Sequence, residues 1–284
     1  MPDAEQLTDP VAHHAEGPVW FPDPGELRWV DMLAGDVLSL GADGAISRRD
    51  VGTIAAVVRP RARGGFIVGV ERGFALDDGD GSSLRTLPEL WQDSGVRMNE
   101  GGCDPDGRFY CGSMAYDQAT GAGSLYRLSP DGSVDVVLDS VSVSNGLEWS
   151  PDGTRAYYND TPTQRVDVFD YSTEQGLHNR RPLVTISSDD GSPDGLTVDA
   201  DGGIWVALFG GSAVHRYSPD GILDHVVSVP ASQVTACTLG GTSMDTLFIT
   251  TSADGLPEGK EPLAGSVFQL PHAAPGRPVR PFHG

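Results

Sequence analysis

The chain has 284 residues and a mass of 29.9 kDa, enough for one large domain or two small ones around a buried core. Apolar residues make up 38% and charged residues 21%, which excludes a disordered chain, and no run approaches the roughly 18 apolar residues of a membrane-spanning helix. Forty acidic residues against 19 basic give a formal net charge of −21, a field that repels nucleic-acid phosphates and anionic lipid and favours cations.

The N-terminal segment, Met1-Pro2-Asp3-Ala4-Glu5, is acidic and has no apolar h-region, so no secretory signal is expected and the cytoplasm is the expected compartment. The three cysteines are an odd number. Cys103 and Cys111 flank an Asp-Pro-Asp-Gly turn at 104–107, which would pair 103 with 108, so reduced thiols are expected and not a disulfide.

Asp-Gly dipeptides recur from Asp43-Gly44 to Asp254-Gly255, a turn signal because both residues tolerate positive φ. Between the turns lie short runs rich in branched and aromatic residues. In chain order they are Leu27–Val30, Phe66–Val70, Arg108–Cys111, Ala156–Tyr158, Ile204–Ala207 and Leu247–Thr250. All are too short for helices, and no longer window shows a 3.6-residue period. Their spacing of about 40 to 50 residues is the blade period of a β-propeller. The expected fold is therefore all-β: a six-bladed β-propeller with about four antiparallel strands per blade, forming one domain over 1–284. Gly265–Leu270 is expected to supply one strand of the closing blade, with the segment near Leu7–Ala12 as its partner. Trp20, Trp149 and Trp205 fall on the apolar strand pattern and are expected to pack between blades.

Four repeats carry a polar residue in one slot, seven positions before a turn aspartate. Glu16 precedes Asp23, Asn99 precedes Asp106, Asn145 precedes Asp152 and Asp194 precedes Asp201, and a glycine follows each within two residues. In the second repeat the slot falls near Ala56, and in the sixth near Val234 or Thr235. Equivalent positions of a radial repeat lie on a ring about the axis, so four oxygen-bearing side chains should meet at one mouth of the channel. Two carboxylates and two amides repel there unless a cation sits among them. The all-oxygen donor set points to calcium, magnesium or manganese more than to structural zinc. So few protein ligands leave coordination positions open, as in catalytic metal sites.

At these residues the chain resembles the senescence-marker-protein/gluconolactonase (regucalcin-like) family. The matching stretches are Glu16-Gly17-Pro18-Val19-Trp20, Arg97-Met98-Asn99-Glu100-Gly101 with Asp104–Arg108, and Gly112-Ser113-Met114. Ser144-Asn145-Gly146-Leu147 with Trp149–Gly153 and Pro193–Asp199 continue them in the family's order. The resemblance implies a six-bladed propeller that opens lactones, mostly sugar lactones, with one divalent cation held by Glu16, Asn145 and Asp194. Calcium is the first expectation, with magnesium, manganese or zinc as alternatives. Arg97, Asn99 and Glu100 are expected at the substrate, and Asn99 would complete or border the cation's sphere. Two departures bear on substrate choice: Asn99-Glu100-Gly101 stands where the family usually has Asn-Asp-Gly, and Tyr116-Asp117 where it often has an acidic pair.

A lactone is an internal ester, and opening it requires a polarised carbonyl and an activated water. Asp194 is expected to be both ligand and general base, and Arg97 and Asn99 would orient the ring and stabilise the oxyanion. Two other readings share the same ring of residues: hydrolysis of a non-sugar lactone or other ester, and a calcium- or ligand-binding propeller without turnover. The chain has no Gly-x-Ser-x-Gly elbow, His-Glu-x-x-His or Walker loop. The Asp-x-Asp-Gly runs at 104–107 and 199–202 read as hairpin turns and His13-His14 as an exposed pair. Asn159-Asp160-Thr161 matches a glycan acceptor that has no meaning without export. The expected partner is a small-molecule lactone, with neither nucleic acid nor membrane.

Overall fold

A computed structural model describes residues 3–284; Met1 and Pro2, where the acidic N-terminal segment begins, lie outside the described residues. The chain folds into six four-stranded antiparallel sheets. Five are continuous in sequence: blade 1 over 15–50, blade 2 over 55–86, blade 3 over 96–141, blade 4 over 144–185 and blade 5 over 192–228. Blade 6 takes Val234–Gly240, Thr246–Thr251 and Val267–Leu270, and the N-terminal strand Glu5–Gln6 completes it. The protein is thus a six-bladed β-propeller. No α-helix occurs among the described residues, only three 3-10 turns, and no helix is long and apolar enough to cross a membrane.

Each of the six apolar runs falls in the second strand of a blade. The first strands pack against one another in ring order around the axis. Trp29, Trp149 and Trp205 are fully buried in the apolar clusters, whereas Trp20 is half-buried and stacks on Phe248 with centroids 5.8 Å apart. The turn at 104–107 closes through Asp104 N–H to Arg108 O at 3.0 Å, so Cys103 faces Phe109 and not residue 108. Gly107 takes φ +74° there, which a residue with a Cβ rarely adopts. Cys103, Cys111 and Cys237 are free thiols, and burial raises their pKa values well above the ordinary range.

The ring closes one segment earlier than Leu7–Ala12. Glu5 pairs with Gln269 and Gln6 with Phe268. Leu7 N–H and Thr8 N–H then both donate to Val267 O, at 2.9 and 3.2 Å, and the Thr8 hydroxyl accepts from Val267 N–H at 3.0 Å. Pro10 has no N–H to continue a ladder, so regular pairing ends before it. At the other terminus, residues 273–284 cross the hairpin ends of five blades. Ala273 N–H bonds Asp245 O in blade 6, and Ala200 N–H of blade 5 bonds Pro275 O. Arg280 reaches Ser150 O in blade 4, His283 N–H reaches Gly107 O in blade 3, and Phe282 N–H reaches Pro60 O in blade 2.

The first strand of every blade contains a register shift, always at the slot legible in the sequence. The shifts bracket Ala56, Asn99, Asn145, Asp194 and Thr235, and in blade 1 the shift begins directly after Glu16, which still faces Val30. A bulge leaves its extra residue outside the ladder and re-aims its side chain. Three residues further on the ladder has resumed in all six: Val19 faces Arg28, Arg59 faces Ile67 and Gly102 faces Tyr110. Likewise Glu148 faces Tyr157, Thr197 faces Trp205 and Thr238 faces Phe248.

Candidate functional site

Glu16, at the edge of its bulge, and the bulged Asn99, Asn145 and Asp194 line one cavity of about 370 Å³, together with Arg97. All five are buried. The other two slots contribute nothing to its lining: Ala56 is apolar, and the Thr235 hydroxyl donates to Ala15 O at 2.6 Å.

A hydrogen-bonded chain fixes the amides. Arg97 Nη1 donates to Asn99 Oδ1 at 2.7 Å, and Asn99 Nδ2 donates to Asn145 Oδ1 at 2.9 Å and to Ser144 O at 2.8 Å. Asn145 Nδ2 donates to Thr161 Oγ1 at 2.7 Å, and that hydroxyl donates to Pro193 O at 2.8 Å, next to Asp194. Asn159 Nδ2 donates to Asp194 O at 2.6 Å. Asn159 is therefore a fully buried prop beneath the site, with no room for a glycan.

The carboxylates are under electrostatic stress. Burial, and then the charge of Glu100, push the Glu16 pKa well above the ordinary carboxyl value. Burial followed by the charges of Glu16 and Glu100 do the same to Asp194, with Arg97 opposing. Asp194 Oδ1 is buried with no hydrogen-bond partner, which costs free energy unless a cation or water meets it. Such a pair of acids, one with an orphaned oxygen, beside two amides suits a hard divalent cation. Among the described residues no three His, Cys, Asp or Glu side chains converge as a ligand set. Any cation here would be held by a mixed carboxylate–amide set.

Glu100 lies apart from the cavity lining. It is buried behind the bulge, its Oε2 lacks a partner, and burial raises its pKa to about 7, with the Arg59 charge opposing. His14 corrects the reading of His13-His14 as an exposed pair. His13 is exposed, but His14 lines the cavity with Nε2 3.7 Å from Glu16 Oε1 and Nδ1 2.7 Å from the Ser252 hydroxyl. Burial, and then the Arg97 charge, lower its pKa to about 4, so the imidazole is neutral. The rim includes Tyr116, which is 46% exposed, donates to Glu71 Oε1 at 2.7 Å and presents its ring 5.8 Å from the Arg97 guanidinium carbon. Leu33, Met114, Val143 and Phe209 add apolar wall. Of these, His14 and Val143 stand two residues before a slot residue, Glu16 and Asn145, and the others have no such signal in the sequence.

A six-bladed propeller with an acid-and-amide pocket at one mouth defines the class to which the chain is to be compared. The model of the SMP-30/gluconolactonase/LRE-like region matches residues 14–253, and the chain belongs to that family. It is 34% identical, over 99% of both chains, to the Bacillus subtilis (strain 168) protein YvrE, whose name proposes a sugar lactone lactonase. The structure of regucalcin from Agrobacterium tumefaciens, described as a calcium-binding protein, superposes with a TM-score of 0.93 at 27% identity, covering 100% of this chain and 99% of that one. A gluconolactonase of Xanthomonas campestris superposes with a TM-score of 0.76 at 25% identity, covering 94% and 88%.

Proposed function

We propose that this protein is a divalent-cation-dependent lactonase acting on a sugar lactone, with Glu16, Asn145 and Asp194 as the cation's ligands and calcium as the first candidate. The observation that carries the reading is the convergence of two buried, mutually repelling carboxyl groups and two amides in a cavity with room for more than an ion. When bound, a divalent cation supplies Lewis acidity and a water of lowered pKa. Asp194 accepts the proton of the attacking water at its unpartnered Oδ1. Arg97, whose Nη1 is bound to Asn99, turns its remaining N–H groups to the substrate and stabilises charge developing on the acyl oxygen. The acyl–oxygen bond of the ring then breaks, and the released alkoxide takes up a proton to leave a hydroxy acid. Tyr116 and the apolar wall bound the side away from the acids and limit which ring substituents fit.

A calcium-binding protein without turnover is the second reading, favoured by the likeness to regucalcin. The cavity volume and the buried Arg97 support the enzyme, since a bare ion needs neither. The deciding experiment follows acid release from glucono-, galactono-, arabinono- and xylonolactone, first with EDTA and then with calcium, magnesium, manganese or zinc restored. The rate of spontaneous opening is subtracted throughout. Hydrolysis restored by a cation is expected; bound cation with no turnover of any lactone would move the assignment to the binder.

A further inference from the structure

Arg28 breaks the pattern of the repeat. Three residues past the bulge slot, five blades face the inner strand with a buried apolar or aromatic side chain: Ile67, Tyr110, Tyr157, Trp205 and Phe248. Blade 1 puts Arg28 in that place. Its guanidinium carbon sits 4.1 Å from the centroid of Phe21 and 5.9 Å from that of Phe66 in blade 2. Outward along the same face, Ser39 stands opposite Arg28 and Ser47 opposite Ser39. Between this polar face and blade 2 lies a cavity of about 560 Å³, on the hairpin side, that shares no lining residue with the mouth.

Arg49 and Arg61 line the same cavity. Each of its three arginines has a carboxylate neighbour: Glu26 at 3.0 Å from Arg28, Asp77 at 2.5 Å from Arg49 and Asp78 at 2.5 Å from Arg61. Asp77 also accepts from Gly79 N–H at 2.7 Å, so its charge is met twice. Arg28 Nη1, Arg49 Nη1 and Arg61 Nη2 remain without a partner among the described residues. Three arginines and two aspartates, Asp23 and Asp77, line the wall, and Glu26 and Asp78 stand beside Arg28 and Arg61, so the hold on an anion comes from the unpartnered guanidinium N–H groups and not from a surplus of positive charge. Packing between blades does not require this, because five blades do without it.

We propose that the cleft between blades 1 and 2 is a second binding site, for a small organic anion. Its phosphate or carboxylate group is held by Arg28, Arg49 and Arg61, and its body lies against Phe21 and Phe66. Planar guanidinium forks match either group, and the volume is in the range of ligand pockets. The site is independent of the lactonase reading, so either can fail alone.

The test is calorimetric titration of the full chain with inorganic phosphate, glucose 6-phosphate and gluconate, at low salt and near 0.15 M ionic strength. Saturable binding of at least one organic anion is expected, tighter than inorganic phosphate and weaker at the higher salt. The two organic probes separate phosphate from carboxylate recognition. Arg28→Leu, which restores the repeat's apolar slot, and Arg49→Gln should each weaken binding at least about tenfold, while Asp194→Asn leaves it intact. Arg49 sits on the outer strand with its side chain 35% exposed, so its variant carries the test if Arg28→Leu fails to fold. No saturable binding up to about 20 mM, affinity unchanged in both arginine variants, or binding lost in Asp194→Asn would overturn the proposal.

Discussion

Replacing Glu16 by glutamine should stabilise the protein when divalent cations are withheld, although the residue is buried at the centre of the site. Glu16 shares its surroundings with Asp194 and Glu100, and burial with the Glu100 charge holds its pKa well above the ordinary glutamate value of 4.5. A carboxyl with a raised folded pKa binds its proton more tightly folded than unfolded. Its contribution to stability is complete below about 4.5 and is lost as pH rises toward the folded value. Each pH unit across that window costs about 1.4 kcal/mol, so at pH 8 the ceiling for one such group is about 5 kcal/mol. Glutamine has the same shape, can still accept the 3.3 Å bond from Gly17 N–H and escapes that cost. A net gain of about 1–3 kcal/mol is expected at pH 8, or some 2–5 °C in Tm. Differential scanning fluorimetry in EDTA should show the variant above the parent at pH 8 and the gap closing toward pH 5. With calcium at about 100 Kd, the parent should gain about 2.7 kcal/mol by mass action and Glu16→Gln much less, reversing the order. A variant less stable than the parent in EDTA at pH 8, with an undiminished calcium response, would refute the reasoning.

Other outcomes follow from the same geometry. Asp194→Asn should lower kcat on the best lactone at least about 100-fold, and activity within a few-fold of the parent would remove Asp194 as the base. Native protein should react negligibly with iodoacetamide, and all three thiols should become reactive only on denaturation, because burial holds them protonated; mass spectrometry counts the adducts. Gly101→Ala would place a Cβ 1.8 Å from the backbone oxygen of Tyr110 beside the blade 3 bulge. It should cost about 3 kcal/mol or more in urea unfolding, and a cost below about 0.5 kcal/mol would mean that the bulge is pliable.

The blade count and the ring of slot residues were legible because both rest on local chemistry that recurs. Asp-Gly turns mark the hairpins, and a polar residue seven places upstream marks each bulge that faces the cavity. His14 escaped because its exposure depends on Ser252, which lies 238 positions away in the chain and anchors the imidazole. Asn159 read as part of an unused glycan motif because nothing local reveals that its amide props Asp194 O. Thr161 and Tyr116 lie just beyond second strands, outside the repeated slot, so the alignment of repeats was silent about them. The closing strand was misplaced by a few residues because Leu7–Ala12 is the more apolar segment whereas the strand that pairs, Glu5–Gln6, is short and polar, and only Pro10 marks where pairing must stop.

The segment over residues 273–284 has a kinetic consequence. By lying across the hairpin ends of five blades, with Val279 and Phe282 packed into the core, it covers the end of the channel away from the cavity. On the proposed function, cation and lactone would then both enter through the cavity mouth. Glu16, Asn145 and Asp194 sit buried while Tyr116 stands exposed at the rim, so under the proposed function the cation would arrive before the lactone and leave after the product. Order of arrival is thereby written into the architecture: excess lactone should slow the escape of the ion, and chelators should act on the idle protein faster than on the working one.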